Sequence, residues 1–274
     1  MTMWRWAKLI GLIGLLLWIG WVGAGELNWQ GQMTQGGLII GRVAPGTRLE
    51  LDGQPLPVAP DGAFVFGFGR DAPLQARLST LFPDGLRQDR MLAIAQRQYP
   101  IQRLDGLPPD KVTPPPLLLD RIRRENAWVD EARRRDIPQP YFLSGFAWPV
   151  AGRISGVYGS QRILNGEPRQ PHYGVDIAAP VGTPVRAPAD GIVTLAEPDL
   201  YYTGVTLIID HGYRLSSTLM HLSRLHAKVG QQVRKGEVVA AVGASGRVTG
   251  PHLDWRMNWR EARIDPALLV PPMP

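Results

Sequence analysis

The chain has 274 residues, of which 44% are hydrophobic and 20% are charged, which is ordinary for a globular protein of one large or two modest domains. It contains no cysteine, which excludes disulfide bonds, thiolate catalysis, cysteine-based zinc sites and a lipid-modified N-terminal cysteine. The formal net charge is +6, but the basic residues are spread along the chain without a run interleaved with aromatic residues, so no nucleic-acid partner is predicted.

Residues 1–24 carry the pattern of an export signal. Arg5 and Lys8 precede an uncharged apolar run, and small residues lead to Ala24, after which a signal peptidase would cut. The apolar run is also near the lower length limit of a membrane span, so an uncleaved N-terminal membrane anchor stays open as an alternative. Both alternatives predict an exported protein of the periplasm or cell envelope, and the second attaches it to the inner membrane.

A small β module is predicted over residues 27–103. Short apolar runs in this region are separated by turn residues, with Asp-Gly pairs at 52–53, 61–62 and 84–85. An Asp-Gly pair between alternating segments is a strong hairpin signal, so we expect an antiparallel, β-sandwich-like arrangement. The region has no histidine and no cluster of acidic residues, and it is interpreted as a spacer or a binding module.

Residues 104–140 are predicted to form a proline-rich linker and an arginine-rich helix. Thr113 followed by Pro114 is a good helix start, and apolar residues keep helical spacing as far as about Arg135, before Pro138. The arginine-rich face is interpreted as a solvated surface on a helix packed against a neighbouring domain, with contact to a polymer as the alternative.

From residue 141 onward the pattern returns to β-structure. Candidate strands are 191–196, 205–210, 215–221, 238–242 and 252–257. No helical segment between them is long enough to cross between parallel neighbours, so the sheet should be antiparallel. The predicted fold class is mostly β: an antiparallel β domain over residues 141–270, preceded by the small β-sandwich-like module and the linker helix.

Two stretches in this last domain carry candidate metal ligands. His172 and Asp176 lie four residues apart with Gly174 between them, and in an extended segment all three would point to one face. Gly174 would leave room on that face for an ion. His252 and Asp254 repeat the pairing near the C-terminus. Polar pairs on inward-facing strand positions are costly to bury unless a metal or another partner satisfies them, which favours a composite metal site.

The order of motifs in this domain resembles the lysostaphin/LytM-type zinc endopeptidases, over roughly residues 145–265. Where the family carries a His-x-His motif, this chain has His252-Leu253-Asp254. The segments that carry the resemblance are His172–Val185 with Ala187–Gly191, Met220–Ser223, Val229–Val233 with Lys235-Gly236, and Gly250–Asp254.

The resemblance implies a LytM-type metallopeptidase domain that hydrolyses peptide bonds in bacterial peptidoglycan, as part of cell-wall remodelling. It implies that His172 and Asp176 bind Zn²⁺, with Asp254 at the position of the third ligand. His221 and His252 would be the catalytic histidines that hydrogen-bond the attacking water and the developing oxyanion. Peptidoglycan peptides are the implied substrate.

Asp254 is the departure from the family pattern, because a second carboxylate would cancel the charge of a zinc ion and make its bound water less acidic. Harder oxygen ligands also weaken the preference for zinc, so binding of another divalent ion stays open as an alternative. Three interpretations remain: Asp254 binds the metal directly, it reaches the metal through a water, or the site is inactive.

Other functions stay open beside the endopeptidase. An inactive domain of this type could act as a cell-wall binding protein or an activator of other wall hydrolases, and a metal-binding scaffold is a third alternative. The module or the helix could also block the groove until a regulatory envelope partner arrives. Two further histidines are not assigned to the site: His211 is interpreted as a structural turn residue and His226 as a surface residue.

Overall fold

The computed structural model describes residues 27–104, 115–164 and 166–273 and shows a mostly antiparallel β-protein with one α-helix in that part of the chain, as predicted. The N-terminal strands are β1 Asn28–Gly31, β2 Leu38–Arg42, β3 Arg48–Leu51, β4 Gln54–Leu56, β5 Ala63–Gly67, β6 Gln75–Leu81, β7 Arg87–Ala93 and β8 Ile101–Leu104. The helix is α1 Leu119–Arg134. The C-terminal strands are β9 Arg153–Gly156, β10 Gln161–Leu164, β11 Glu167–Pro168, β12 Val175–Ala178, β13 Pro184–Arg186, β14 Gly191–Leu200, β15 Gly204–Asp210, β16 Leu215–Leu225, β17 Gln232–Val233, β18 Val238–Val242, β19 His252–Trp259 and β20 Ala262–Ile264.

The N-terminal strands form two antiparallel sheets, in the orders β1-β2-β5 and β4-β3-β6-β7. Asp52 and Gly53 join β3 to β4 with φ angles of 49° and 76°, and two positive values in succession are what the tightest hairpin turns require. Apolar side chains alternate with polar ones along β6, so the strand buries one face against the core. Phe64 and Phe66 on β5 are fully buried and stack on each other.

The C-terminal strands other than β10 and β11 build one large antiparallel sheet whose main path runs β17-β14-β15-β16-β19-β12-β9. All five strands expected in this region are present, and the short strands β9, β12 and β13 were not predicted. Leu253, Trp255 and Met257 point from β19 into the core and are fully buried, which leaves His252, Asp254 and Arg256 on the opposite face.

Helix α1 begins at Leu119, after a 3-10 turn at Pro116–Leu118, and not at Thr113–Pro114 as the sequence predicts; residues 105–114 lie outside the described part of the chain. Its apolar stripe packs on the large sheet through Ala132, which contacts Leu195 and Ile208. Arg123, Arg124 and Arg134 on its other faces are exposed, as expected for a helix lying on a neighbouring domain.

Glu125 is a buried carboxylate on this helix that the sequence pattern did not single out. Its Oε2 accepts from the backbone N–H of Tyr201 at 2.7 Å, and its Oε1 accepts from Arg121 at 2.5 Å. Arg121 also donates to the backbone carbonyl of Asp199 at 2.8 Å. Helix α1 therefore holds the end of β14 and the loop after it by polar contacts, in addition to its apolar packing on the sheet.

The N-terminal module is connected to the C-terminal sheet region by backbone pairing. Strand β8 pairs in parallel with β10, and β11 extends the same small sheet. Nearby, Arg97 forms an ion pair with the buried carboxylate of Asp265 at 2.8 Å. Residues 1–24, predicted as a signal or anchor, lie outside the described residues; within the described ones, no helix combines the length and apolarity needed to cross a membrane.

His211 lies in the turn between β15 and β16, where it is fully buried. Its Nδ1 lies 2.7 Å from the Asp190 carbonyl, so Nδ1 carries the proton, and its Nε2 lies 2.8 Å from the Ser217 hydroxyl. Burial disfavours the charged imidazolium and lowers the pKa of His211 to about 4. The interpretation of His211 as a structural residue agrees with these contacts.

The neutral state of His211 should make the free energy of unfolding depend on pH. Its contribution is present above the unfolded-state pKa and is lost as the pH falls toward the folded-state value, because protonation then favours the unfolded chain. The stability difference between the native protein and His211→Gln should shrink by about 2 kcal/mol between pH 7.5 and pH 5, as measured by urea unfolding. His226→Gln, which removes an exposed histidine, is the control, and equal pH slopes for the two variants would contradict this assignment.

Candidate metal centre

Strands β12 and β19 are neighbours, and their register places Asp176 directly opposite Asp254. The expectation that His172, Gly174 and Asp176 share one face of a strand is wrong, because β12 begins only at Val175. His172 precedes the strand and is fixed by backbone hydrogen bonds instead: its N–H donates to the Ser160 carbonyl at 2.9 Å, and its carbonyl accepts from Gly159 at 2.7 Å.

Three side chains predicted as metal ligands converge in this place. The Nε2 atom of His172 lies 3.0 Å from Oδ1 of Asp176 and 3.3 Å from Oδ2 of Asp254, and all three candidate ligand atoms lie within 4.8 Å of one another. Ligand atoms bound tetrahedrally to a zinc ion at about 2.0 Å stand roughly 3.3 Å apart. The donor set and its spacing therefore fit a divalent ion.

Two glycines keep space around the carboxylates. A Cβ on Gly174 would lie 2.5 Å from Oδ1 of Asp254, and a Cβ on Gly156 would lie 2.2 Å from Oδ2 of Asp176. Both distances are below van der Waals contact, so any larger residue would displace a carboxylate. The space predicted at Gly174 is present. It adjoins Asp254 and Arg256, however, and does not lie on a strand face shared with Asp176.

His221 and His252, the residues predicted to be catalytic, lie next to each other at the edge of this cluster. Their ring centroids are 4.9 Å apart, and Nε2 of His252 lies 3.8 Å from Oδ1 of Asp176. His221 has φ of 61°, a left-handed conformation that is uncommon outside glycine, at an irregularity in the pairing of β15 with β16. Its backbone N–H donates to the Thr203 carbonyl at 2.9 Å.

The three histidines are oriented in the same way. Nδ1 of His172 lies 3.3 Å from the Val157 carbonyl, Nδ1 of His221 lies 2.9 Å from the Ser245 carbonyl, and Nδ1 of His252 lies 2.9 Å from the Gly250 carbonyl. A carbonyl only accepts, so each Nδ1 carries a proton. In the neutral ring, Nε2 then has a lone pair available to a metal or to a proton.

Arg256 makes the strongest contacts of Asp254. Its Nη2 lies 2.7 Å from Oδ2, and its Nε lies 3.1 Å from each carboxylate oxygen. Asp254 is only 2% exposed. Burial opposes its ionisation, but Arg256 and His172 outweigh burial and hold the pKa of Asp254 well below its usual range.

The field of the two carboxylates favours positive charge at His172. Burial opposes protonation of this ring, yet its hydrogen bonds and charge interactions with Asp176 and Asp254 raise the pKa of His172 to about 9. The same carboxylates would stabilise a metal cation held by these groups. At His221, burial dominates and lowers the pKa, so that ring is neutral at pH 7.

Sequence reasoning missed Arg256 and the carbonyls of Val157 and Ser245. The alternation along β19 could have indicated Arg256, since it lies two residues from Asp254 and therefore on the same face. The carbonyls could not be found in this way because no side chain marks them. His226, interpreted as a surface residue, is exposed.

Comparison with known proteins agrees with the resemblance seen in the motifs. The profile described as Peptidase family M23 matches residues 170–266. Among curated proteins, the peptidoglycan DD-endopeptidase ShyA of Vibrio cholerae is 38% identical over 108 residues, which is 37% of this chain and 25% of that protein. The DD-carboxypeptidase/endopeptidase Mpg of Neisseria meningitidis is 40% identical over 103 residues, covering 38% and 24% respectively. The chain thus matches only about a quarter of the length of these relatives.

A solved structure resembles nearly the whole chain. It is a crystal structure of a Pseudomonas aeruginosa protein that carries the name of an M23 peptidase, with 30% sequence identity and a TM-score of 0.65. The match covers 87% of this chain and 95% of that one, so it includes the N-terminal module as well as the large sheet. This chain therefore belongs to peptidase family M23.

Proposed function

We propose that this protein is a metal-dependent endopeptidase that hydrolyses peptide bonds in bacterial peptidoglycan. The observation that carries the proposal is the convergence of His172, Asp176 and Asp254 within 4.8 Å, with His221 and His252 beside them. Three protein ligands with a remaining open position are what a catalytic zinc requires.

The metal, when bound, would polarise the scissile carbonyl and acidify a water. His172, Asp176 and Asp254 would hold it. A backbone carbonyl fixes Nδ1 of His221 and of His252, and Nε2 of His252 lies beside the cluster, 3.8 Å from Oδ1 of Asp176. The neutral His221 ring can accept a proton from water, and His252 is placed to return a proton or to hydrogen-bond the developing oxyanion.

Of the three roles open to Asp254, we propose direct ligation, with Arg256 as the compensating group. The guanidinium offsets the extra negative charge of the second carboxylate, so the ion and its neighbours keep the net charge of a site with one carboxylate. A carboxylate has about four lone-pair positions, so Asp254 can accept from Arg256 and still bind a cation. Zn²⁺ is the proposed ion, and another divalent ion is the alternative.

The proposed setting is the cell envelope. The names of two similar proteins, a peptidoglycan DD-endopeptidase and a DD-carboxypeptidase/endopeptidase, support peptidoglycan peptides as the substrate class. The basic N-terminus and apolar run within residues 1–24 support export, with cleavage or membrane anchoring as the two alternatives. We also propose residues 27–103 as a small β module, residues 104–140 as the linker and helix, and residues 141–270 as the catalytic domain.

The direct test measures metal content by elemental analysis and release of peptides from purified peptidoglycan. The full chain should retain close to one equivalent of metal, and a chelator should abolish cleavage. His221→Ala and His252→Ala should each lower kcat by a factor of about 10² to 10⁴, because each removes a group that moves or stabilises a proton. Both variants should still retain metal.

The matched control is His226→Ala, which removes an exposed histidine and should leave cleavage unchanged. A native protein that binds peptidoglycan but neither retains metal nor cleaves would replace the proposal with the alternative of a non-catalytic wall-binding or activator protein. Metal retention without cleavage, unaffected by His221→Ala, would favour the metal-binding scaffold.

Replacing Gly174 tests the space around the ligands. In Gly174→Ala the new methyl group would press on Asp254 and Arg256, so metal affinity measured by competition with a chromophoric chelator should fall at least tenfold. Gly250→Ala is the control, since nothing lies within 4 Å of its added Cβ. Unchanged affinity in Gly174→Ala would show that Asp254 does not bind the metal.

Arg256 can be tested by restoring the family histidine. In Asp254→His, the guanidinium of Arg256 loses its carboxylate and faces a dication, so the variant should bind metal at least tenfold more weakly than Asp254→His with Arg256→Leu. Tenfold corresponds to about 1.4 kcal/mol. Arg224→Leu, which removes an exposed arginine from β16, should not restore affinity in the Asp254→His background. Equal affinities with and without Arg256 would contradict charge compensation.

A further inference from the structure

The face of β19 that carries His252 and Asp254 continues past the metal centre. Arg256 and Asn258 follow on the same face, because alternate residues of a strand point to the same side. Asn258 is buried, and at about 3.3 Å per residue it lies roughly 13 Å from Asp254 along the strand. The metal centre therefore lies on the same surface as Arg256 and Asn258.

Two arginines from other elements reach this surface on either side of Arg256. Thr218 on β16 is directly opposite Arg256, and Arg133 of helix α1 donates to the Thr218 hydroxyl at 3.1 Å. Arg263 on β20 is directly opposite Asn258 and donates to its side-chain carbonyl at 3.1 Å. Helix α1, β19 and β20 thus bring guanidinium groups to one end of the surface.

Arg133, Asn258 and Arg263 line a pocket whose charge is poorly balanced. Its walls carry five arginines but only two acidic residues, Asp130 and Glu261. The Glu261 side chain is 91% exposed and stands 3.8 Å from Arg214, so it neutralises little of this charge. Arg256, whose charge also acts on Arg133 and Arg263, is already paired with Asp254.

The buried side chain of Arg133 lies in the same positively charged environment. Its Nε–H is buried and has no hydrogen-bond partner among the described residues. Burial, followed by repulsion from Arg263 and Arg256, lowers the pKa of Arg133 to about 9. Burial and repulsion from Arg256 lower the pKa of Arg263 as well. An anion between these groups would relieve the repulsion and supply an acceptor.

We propose that this arginine pocket, defined by Arg133, Arg263 and Arg214, binds a free carboxylate of the peptide substrate. A guanidinium and a carboxylate are both planar and can form two parallel hydrogen bonds, which makes arginine well suited to this ligand. An extended peptide advances about 3.3 Å per residue, so the carboxylate would belong to a residue roughly four positions from the bond at the metal centre. The inference rests on the proposed function, since it names a feature of the substrate of that reaction.

The experiment compares soluble peptidoglycan fragments with the same fragments after carbodiimide amidation of their carboxylates. Binding to the full chain is measured by calorimetry, and kcat/KM for cleavage is measured separately. The native protein should bind the carboxylate form at least tenfold more tightly than the amide form and cleave it with a correspondingly higher kcat/KM. Arg133→Gln combined with Arg263→Gln should remove this preference while metal content stays unchanged.

Arg123→Gln combined with Arg124→Gln is the matched control, because it removes the same two positive charges from exposed positions of helix α1, and it should keep the preference. Equal binding and cleavage of both forms by the native protein would overturn the pocket and leave the endopeptidase intact. Preferential binding of the carboxylate form without any cleavage would support the pocket and overturn the endopeptidase. The comparison of the carboxylate and amide forms on the native protein tests the arginine pocket even if a variant fails to fold.

Discussion

The buried carboxylate of Asp254 is the group on which the candidate site depends. An ionised carboxylate that is almost inaccessible to water is strongly destabilising unless charged or polar partners surround it, and here His172 and Arg256 supply them. Asp176 stands opposite on the neighbouring strand and contacts the same imidazole. One carboxylate thus determines three features of the centre. It fixes the positions of the candidate ligand atoms, the net charge and the orientation of Arg256.

Much of the architecture could be predicted from local sequence because the patterns have direct causes. Asp-Gly pairs accept positive φ angles, so Asp52-Gly53 marked a hairpin that the structure contains. Leu253 and Trp255 alternate with His252 and Asp254, and this alternation separates the apolar from the polar side chains on the two faces of the last long strand. The family motifs predicted the fold of the C-terminal region, and they named the five side chains that meet at the site.

The rest depends on tertiary contacts that local patterns do not contain. His172 was expected in a strand, but the chain turns before β12, and the ring is placed by backbone bonds to residues 159–160. His221 takes a left-handed conformation at a pairing irregularity, which no sequence spacing specifies. Alternation along β19 places Arg256 on the same face as Asp254, but the spacing alone does not specify the hydrogen bonds that join the two side chains. A motif can identify ligands, whereas the groups that orient them come from loops and neighbouring strands.

The parallel pairing of β8 with β10 couples the folding of the two halves of the chain. It joins residues 101–104 to residues 161–164, which are separated by the whole linker and helix α1. The buried apolar side chains of the module and of the large sheet also belong to one continuous cluster. The module and the large sheet should therefore melt in a single cooperative transition, and the proline-rich stretch between them divides the sequence without dividing the folding unit.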